Sequence, residues 1–504
     1  MILLLAALAR PAGAIEVPGS GGRLDVGGYL DGLAVVDTGG GPRQRPQGLL
    51  SLELDGRASD TVRGHLELRG RIGGPFEGGH QGAYNWVHTY QNYSPALEVR
   101  EAYVNVVLER ADLRAGLQTV AWGVLDGVPP TDVVNPRDLH DPIVSDFEER
   151  KFGVPAAQGT WFLPDVPRFG LSALRATFIY MPFAVPPRLA LREERWFPPS
   201  VVPGTRVVLP RQLLNRSLEL PPGVTFDDDV TVPVDVETQS HRPPHGIDDG
   251  GIGFRFGGTL GEQSWNLYHY TGPDTGPDVD LIARVRLVDF AVDGSTASMR
   301  LRARSTLRQA HDTLHMTGAD WSRAFGAATV RAEGAWFIDR PYLRIARDLF
   351  SGPALRQLPL RRIGNELING SGHARVPLGN LFVDRDTIEW GVGVDYLVNG
   401  FLPLLQVNQI VGLDSAPRLL VDDPETRFTG SVRKSFWNDR LEGELRSVYT
   451  LMRGGWYVFP RLAYRPRDDL RLRLGYLAIG GTRNSVFGQF GKNDELVMEA
   501  RYTF

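Results

Sequence analysis

The C-terminal stretch Asn493–Phe504, with the sequence NDELVMEARYTF, decides the fold class of this chain. From Leu496 onward every second residue is apolar, and the residues between are polar or charged apart from Val497. This period of two predicts a strand with one apolar and one wet face. A final strand that ends on an aromatic residue is typical of transmembrane barrels of the bacterial outer membrane. Tyr502 and Phe504 are therefore predicted to form the signal that the barrel-assembly machinery recognises, although a soluble β-sandwich can end on a similar strand.

The same alternation recurs along the chain, and it is cleanest in Thr61–Ile72, where charged residues occupy every second position. Charges that alternate with apolar residues predict water on one side of the strand. In a sandwich that side is the outer surface, and in a membrane barrel it is the lumen. The residues predicted to line the lumen are Arg63, Glu67, Arg69, Arg71, Arg300, Arg302, Arg304, Arg331, Glu333, Glu442, Glu444, Arg471 and Arg473.

Two features favour the barrel over the sandwich. The patterned segments reach about ten residues, the length that a tilted strand needs to cross a membrane. Aromatic residues also bracket the apolar faces, as Trp390 and Tyr396 do in one strand and Trp456 and Tyr464 do in another. The sequence therefore predicts an all-β fold, a closed antiparallel transmembrane β-barrel of about 16 strands, within a range of about 14–18. Residues 15–504 are predicted to form this single barrel domain.

Long and short connections alternate between the predicted strands. Some are a few residues long, such as Asn438–Arg440, whereas others span Gly73–Ser94, Val124–Ala157, Phe183–Gly250 and Arg340–Arg385. Short periplasmic turns and long extracellular loops are the asymmetry expected of outer-membrane barrels. The Pro-rich segment 183–250 is predicted to be a long loop that either folds inward as a constriction or plug, or lies on the surface against lipopolysaccharide.

Composition excludes several classes of protein. The chain has no cysteine, so disulfides and thiolate chemistry are impossible, and its net charge of −4 gives no general case for nucleic acid. Residues 2–9 are an apolar run followed by Ala12-Gly13-Ala14, which predicts a signal peptide over residues 1–14. No phosphate-binding loop, HExxH motif or GxSxG motif occurs. We therefore expect no enzymatic activity, no cofactor and no metal site.

Several motifs carry a resemblance to a known family. They include QTVAWGVLDG at Gln118–Gly127, DVVNPRDL at Asp132–Leu139, FEERKFGVP at Phe147–Pro155 and the C-terminal GQFGKNDELVMEARYTF. In this order they resemble the porin-like outer-membrane family of proteobacteria known as domain of unknown function 1302, and more distantly the alginate-export barrels. The most specific residues of the resemblance are Trp122, Gly123, Asp126, Asp132, Asn135, Pro136, Arg137 and Asp138. The resemblance implies a membrane barrel and envelope transport but names no substrate.

The DVVNPRDL block also has a physical interpretation. Asn135-Pro136 favours a turn, and Asp132, Arg137 and Asp138 can pair and pin the loop at the barrel mouth or inside it. Direct contact with a transported solute is the alternative.

The functional hypothesis from the sequence is a passive outer-membrane channel with an arginine-rich lumen, for small or amphiphilic solutes. Arginine would favour carboxylate or phosphate groups, unless the charges pair across strands and leave little net field. The alternative is a plugged barrel that acts as the outer-membrane component of an export or lipid-transport complex, with a periplasmic partner at the short turns. Expected partners are outer-membrane lipid, lipopolysaccharide and the barrel-assembly machinery.

Overall fold

The computed structural model of the protein describes residues 15–16, 23–41, 46–73, 96–185, 187, 190, 194–202, 204, 206–239, 250–276, 279–309, 312–377, 381–415 and 418–504. The predicted signal peptide, residues 1–14, lies outside these residues and stays a prediction. Within the described part of the chain, none of the helices has the length and apolar composition needed to cross a membrane.

Strands make up most of the described residues. In chain order they are β1 (Ile15–Glu16), β2 (Leu24–Asp37), β3 (Gln47–Arg57), β4 (Val62–Gly73), β5 (Ala96–Val107), β6 (Ala111–Gln118), β7 (Val154–Phe162), β8 (Leu171–Met181), β9 (Arg206–Leu209), β10 (Thr225–Phe226), β11 (Val230–Gln239), β12 (Gly251–Leu260), β13 (Gln263–Pro273), β14 (Val279–Asp293), β15 (Thr296–Gln309), β16 (Thr313–Phe325), β17 (Ala328–Leu343), β18 (His373–Val376), β19 (Phe382–Tyr396), β20 (Phe401–Gly412), β21 (Glu425–Phe436), β22 (Leu441–Thr450), β23 (Trp456–Arg467), β24 (Leu470–Gly480) and β25 (Glu495–Thr503).

The helices are few and short. The α-helices are α1 (Arg211–Ser217), α2 (Gly352–Gln357) and α3 (Leu360–Ile368), and the 3-10 helices are Glu148–Arg150, Pro167–Phe169, Pro199–Val201, Ala346–Phe350 and Gly488–Phe490.

Eighteen antiparallel strands close into a barrel. The wall runs from β2 through β8, continues with β12, β13, β16, β17 and β19, and ends with β20 to β25. Closure comes from β25, which pairs with β2 from Tyr29 opposite Thr503 to Asp37 opposite Glu495. The two-residue strand β1 adds to β2 at the same seam. The predicted fold class is confirmed, and the strand number lies at the upper end of the predicted range.

The two ends of the barrel differ in their connections. At one end, called here the turn end, strands are joined by short segments such as Gly261–Glu262 and Gly326–Ala327. The start of β2 and the C-terminal residue Phe504 also lie at this end, where the N–H of Phe504 donates to the Gly28 carbonyl at 2.9 Å. At the other end, called the loop end, the connections 119–153, 182–250, 274–312 and 344–381 are long. The predicted asymmetry between turns and loops is therefore present.

The period of two sorts each wall strand into an apolar outer face and a polar inner face. The aromatic residues that were predicted to bracket the apolar faces, Trp390, Tyr396, Trp456 and Tyr464, are exposed on the outer surface. On β4, by contrast, the alternate residues Glu67, Arg69 and Arg71 are buried inside. A closed barrel with a wide apolar outer wall satisfies every backbone hydrogen bond without water. This is the architecture of an integral outer-membrane protein.

Three of the long connections build a second sheet at the loop end. Its strands pair in the order β18-β14-β15-β11-β9, with β10 beside β15. The connections leave the wall between β8 and β12, between β13 and β16, and between β17 and β19, so they rise from neighbouring wall strands. One face of this sheet packs on α1, α2 and α3 around a core that includes Val232, Leu301, Leu355 and Ile363.

This sheet corrects two expectations from the sequence. Residues 206–239 of the predicted loop 183–250 contribute β9, α1, β10 and β11 to it, so the chain carries a second packed unit beside the barrel. Arg300, Arg302 and Arg304 were predicted to line the lumen, but they lie on β15, which is outside the barrel wall. The alternation in β15 is real, yet its apolar face meets a protein core instead of lipid.

Candidate functional site

The connection between β6 and β7, residues 119–153, folds into the lumen and is called here the constriction loop. This loop forms ion pairs and hydrogen bonds with wall strands that lie far apart around the barrel. Its Asp138 pairs with Arg71 on β4, and its Asp146 pairs with Arg461 on β23. Its residues 124–131 donate hydrogen bonds to Glu333 on β17. A loop held by such widely separated strands must cross the lumen. The eight residues of the family-like motif, Trp122 to Asp138, all lie in this loop.

Glu333 is the main anchor of the constriction loop. Its Oε2 accepts the main-chain N–H groups of Val124 and Leu125 at 2.8 and 3.1 Å. Its Oε1 accepts both the N–H and the hydroxyl of Thr131 at 2.7 Å each. The Glu333 residue is only 4% exposed, so these bonds replace the water that its charge would otherwise need. Glu333 was predicted to line the lumen, and in the structure its carboxylate holds the constriction loop instead of facing open solvent.

Two neighbouring residues of the motif explain why the loop fits against Glu333. Gly123 has φ of +85°, and a Cβ there would lie 2.7 Å from Glu333 Oε1, so a side chain would collide with the anchor. Trp122 is buried, with its ring centroid 5.1 Å from that of Tyr268 and 6.4 Å from that of Tyr270 on β13. The Trp-Gly pair thus combines an apolar anchor with close backbone approach.

Gln406 and Asn408 on β20 form a second anchor that sequence reasoning missed. Gln406 Oε1 accepts the N–H of Asp126 at 3.1 Å, and its Nε2 donates to the Asp126 carbonyl at 3.2 Å. Asn408 Nδ2 donates to the Val128 carbonyl at 3.3 Å. The available signal was the alternation of these two amides with Leu405 and Val407, which places them on the inner face of the strand.

The DVVNPRDL block closes the base of the loop. Asn135 accepts the N–H of Val120 at 2.8 Å and donates to the Phe152 carbonyl at 2.6 Å, while the Pro136 carbonyl accepts the Phe152 N–H at 2.8 Å. These contacts bring the two ends of the loop together. The predicted turn at Asn135-Pro136 therefore serves as a clasp.

Buried ion pairs reinforce the clasp. Asp132 pairs with Arg137 at 3.1 Å and with the buried Lys151 at 2.9 Å. Asp138 pairs with Arg71 of the wall at 3.2 Å. The pinning interpretation of Asp132, Arg137 and Asp138 agrees with these contacts.

Asp146, further along the loop, forms ion pairs with arginines on β22, β23 and β24. It lies 3.0 Å from Arg461, 3.3 Å from Arg446 and 3.7 Å from Arg473. Burial acts to raise the pKa of Asp146, but these three guanidinium groups outweigh it and the pKa falls below its ordinary value. Burial also acts to raise the pKa of Glu149, but the hydrogen bond and the charge of Arg501 outweigh it, so the pKa of Glu149 is lowered. Both carboxylates stay charged at neutral pH.

A polar cavity of about 320 Å³ lies beside Asp146, on the inner face of β21 to β24. Arginines outnumber carboxylates along its wall. Its charged lining consists of Arg433, Arg446, Arg461, Arg465, Arg471 and Arg473, with Asp146, Glu442 and Glu444. The sequence predicted Glu442, Glu444, Arg471 and Arg473 in the lumen, and the structure brings these four together here.

The other predicted lumen residues lie apart from this cavity. Glu67 pairs with Arg69 at 2.7 Å, and Arg71 binds the constriction loop. Arg63 is exposed near the turn end of β4, and Arg331 pairs with Asp395 on β19. Each of Glu67, Arg69, Arg71 and Arg331 therefore has a partner of opposite charge, on the same strand, in the constriction loop or on the neighbouring strand.

Part of the segment 183–250 also reaches the barrel. Arg195 is buried, with Nε 2.6 Å from Glu495 and Nη1 3.2 Å from Asp37, at the seam of β25 and β2. Trp196 packs on Phe490 with ring centroids 5.3 Å apart, and Glu194 lies 3.3 Å from His140 of the constriction loop. Residues 194–196 therefore cover the loop end of the lumen on this side.

No family model matches this chain, and no curated protein matches it. Solved structures do. OccAB4 of Acinetobacter baumannii is 11% identical over 96% of this chain and 98% of its own, with a TM-score of 0.47. OccK5 of Pseudomonas aeruginosa is 11% identical over 96% and 98%, with a TM-score of 0.45. A loop-deletion mutant of OmpT, an outer membrane protein of Vibrio cholerae, is 8% identical over 95% and 99%, with a TM-score of 0.35.

Proposed function

We propose that this chain is a passive outer-membrane channel for small anionic or amphiphilic solutes, in which the constriction loop sets the narrowest cross-section. The observation that supports this most directly is the pairing of two features in one lumen. The loop is anchored to β17 and β20 by hydrogen bonds, and a polar, arginine-rich cavity remains on the other side, against β21 to β24. Fixed anchors with a free polar gap are what a selective passive pore needs.

The charge balance of the cavity favours anions. Six arginines and three carboxylates line it, and a fourth carboxylate, Glu499 on β25, pairs with Arg471 and Arg473, so two guanidinium groups remain in excess. In the confined lumen, screening by water is weaker than at a free surface, so the surplus of guanidinium groups attracts negative solutes. The forked guanidinium also binds carboxylate or phosphate with two parallel hydrogen bonds. No cofactor or enzymatic step enters this proposal.

The paired charges elsewhere limit the anion preference to the cavity. Arg501 pairs with Asp31 at 2.6 Å, Arg331 pairs with Asp395, and Arg69 pairs with Glu67 at 2.7 Å. Such pairs stabilise the wall and add little net field along the rest of the lumen. We therefore expect a moderate anion preference set by residues 433–473 and not a uniformly positive pore.

The test is single-channel recording of the refolded barrel in planar bilayers under a salt gradient. Small, steady conductance steps with a reversal potential displaced toward that of the anion are expected. A cation-leaning reversal potential would contradict the assignment of the cavity as the selective passage. A gel mobility that changes on heating provides the control that the barrel is folded.

The runner-up is a plugged barrel that belongs to an export or lipid-transport complex. The observation that favours it is the cover formed by residues 194–196 above the constriction loop. A periplasmic partner would then dock at the turn end. A folded barrel that stays electrically silent until the Glu333 anchor is removed would support this function over the open channel.

We also propose two relationships that rest on sequence motifs. The constriction-loop motif is the basis for kinship with the porin-like family known as domain of unknown function 1302. The C-terminal strand, which closes the barrel through Tyr502 and Phe504, is proposed as the segment that the assembly machinery recognises.

A further inference from the structure

The outward face of the second sheet carries rows of arginine. On β14 and β15, Arg284 lies directly opposite Arg304, and Arg286 lies directly opposite Arg302. On the other side of β14, Arg284 lies opposite Arg375 and Arg286 opposite His373 of β18. The burial pattern alternates so that all of these residues are exposed, while Ala283, Leu301 and Ala303 between them are buried. Three strands therefore present a basic surface, called here the arginine face.

Like charges that face each other across strands destabilise a sheet. Acidic side chains relieve only part of this repulsion. Arg300, Arg302 and Arg304 lie 2.9, 3.8 and 3.4 Å from Asp289, Asp235 and Glu237, and each pair is more than half exposed, so the pairs are weak. Among the described residues, Arg284, Arg286 and Arg375 form no ion pair. The sheet keeps an unfavourable arrangement that a bound anion would relieve.

The arginine face is also rigid and regularly spaced. Neighbouring strands lie about 4.8 Å apart, and alternate residues on one strand lie about 6.8 Å apart. The backbone beneath the face is fixed because its opposite side packs into the core with α1, α2 and α3. A lattice of forked donors on a fixed sheet suits several phosphate or carboxylate groups held close together, and not a single small anion.

The position of the arginine face indicates which molecule would supply these phosphate or carboxylate groups. The core side of the sheet includes Val201, and the adjoining Ser200 N–H donates to Gln489 Oε1 in the loop between β24 and β25 at 3.2 Å. The core side therefore lies toward the barrel mouth, and the arginine face is turned away from the lumen. The three supporting connections rise from neighbouring wall strands, so the sheet lies above one side of the barrel rim. The outer leaflet beside that rim consists of lipopolysaccharide, whose headgroup is dense in phosphate and carboxylate.

We propose that the arginine face binds the phosphorylated headgroup region of lipopolysaccharide and docks the second sheet on the outer leaflet. The contact is electrostatic and multivalent, and it weakens as salt is added because the arginines are exposed. It does not depend on the channel function proposed above.

The test uses the full refolded chain in detergent, and it compares the wild type with a charge-reversal variant chosen so that the second sheet still folds. In Arg284→Glu/Arg286→Glu, each new carboxylate faces arginine or histidine across both neighbouring strands, so the sheet gains ion pairs. The matched control is Arg110→Glu/Arg168→Glu, which makes the same change in charge at two exposed positions of the turn end. Binding is measured to vesicles that contain lipopolysaccharide, to vesicles with its dephosphorylated form, and to soluble inorganic polyphosphate.

We expect the first variant to bind lipopolysaccharide about tenfold or more weakly, given the typical contribution of each basic residue near an anionic surface. The control variant should bind as the wild type does, and dephosphorylation should weaken wild-type binding to a similar degree. Equal binding by both variants would overturn the proposal. So would wild-type binding to polyphosphate without binding to lipopolysaccharide, because the occupant would then be a soluble polyanion. Unchanged single-channel conductance in the first variant separates this result from the channel function.

Discussion

Glu333 and Thr131 lie 202 residues apart in the chain, and two hydrogen bonds of 2.7 Å join them inside the barrel. The carboxylate on β17 thereby fixes the middle of the constriction loop, and its second oxygen holds Val124 and Leu125. Hydrogen bonds to a charged group contribute about 1.5–3 kcal/mol each. The position of the loop thus depends strongly on one side chain.

Replacing Glu333 by Gln should loosen the loop. The amide keeps one acceptor oxygen, but its NH₂ group would face N–H donors, so at least one pair of bonds is lost. Two such bonds together contribute at least about 3 kcal/mol, so their loss raises the displaced-loop population by more than about 100-fold. Single-channel recordings should show more frequent large-conductance events. The matched control is Glu262→Gln, an exposed carboxylate at the turn end that pairs with Arg323, and it should leave event size and frequency unchanged.

Gly123→Ala should produce the same loosening from the side of the loop. A Cβ at this position would lie within 2.7–2.8 Å of both Glu333 carboxylate oxygens, and φ of +85° is unfavourable for alanine. Because both changes disrupt one contact, the double variant Gly123→Ala/Glu333→Gln should resemble either single variant in event frequency. Additive effects in these recordings would show that Gly123 acts elsewhere. Gly127→Ala is the control, since its φ is +76° but no atom lies near its added Cβ.

The sequence predicted the faces of the wall strands well, because lipid outside and polar groups inside impose a period of two. Glu67, Arg69 and Arg71 on β4 are buried, and Glu442 and Glu444 on β22 line the polar cavity, on the face to which the alternation assigned them. The same pattern led to a wrong prediction for β15. A strand between a protein core and water has the same alternation as a strand between lipid and a lumen, so Arg300, Arg302 and Arg304 could not be told apart from wall residues.

The constriction loop was only partly predictable. Asn135-Pro136 and the charges around it signalled a pinned segment, and the clasp that they form follows from local turn chemistry. The anchors on β17 and β20 could not be predicted from the sequence of the loop. Contacts such as Asp126 with Gln406 join residues 280 positions apart, and nothing in the local pattern fixes which wall strand a loop reaches.

Mild acidification should leave the contacts that Asp146 and Glu149 make with the wall intact. The arginines around Asp146 lower its pKa in the folded state below the ordinary 3.8, and Arg501 lowers that of Glu149 below 4.5. A lowered folded-state pKa means that the stabilising charge is fully present above the ordinary value and is lost as pH falls through the lowered one. The contacts that depend on Asp146 and Glu149 should therefore stay constant from neutral pH to about pH 4.5 and change only under stronger acid, and conductance measured as a function of pH tests this.

The control for this pH profile is Asp146→Asn. This variant lacks the titrating carboxylate, so its gating should already resemble that of the acidified wild type and show a smaller change with pH. Identical profiles for wild type and variant would show that other groups control the response.

Locking the constriction loop should not abolish conduction. A Cβ added at Gly393 would lie 3.4 Å from Leu125 Cδ2, and the chain has no native cysteine. The pair Leu125→Cys/Gly393→Cys can therefore be bridged by oxidation or by a short thiol cross-linker. Since the cavity lies against β21 to β24 and away from this contact, we expect the bridged and reduced forms to conduct alike. Loss of current on bridging would mean that the loop must move to open the pore.

Charge reversal should show that the arginines of the cavity, and not those of the arginine face, set the ion selectivity. Arg433→Glu/Arg465→Glu changes two cavity arginines that do not hold Asp146. The cavity would then contain more carboxylates than arginines, and the reversal potential in a salt gradient should move toward that of the cation. The triple variant Arg300→Glu/Arg302→Glu/Arg304→Glu makes a larger change in charge on β15 and should leave the reversal potential in place, because these residues lie outside the wall. A shift in the triple variant alone would mean that permeant ions are selected at the second sheet and not in the lumen.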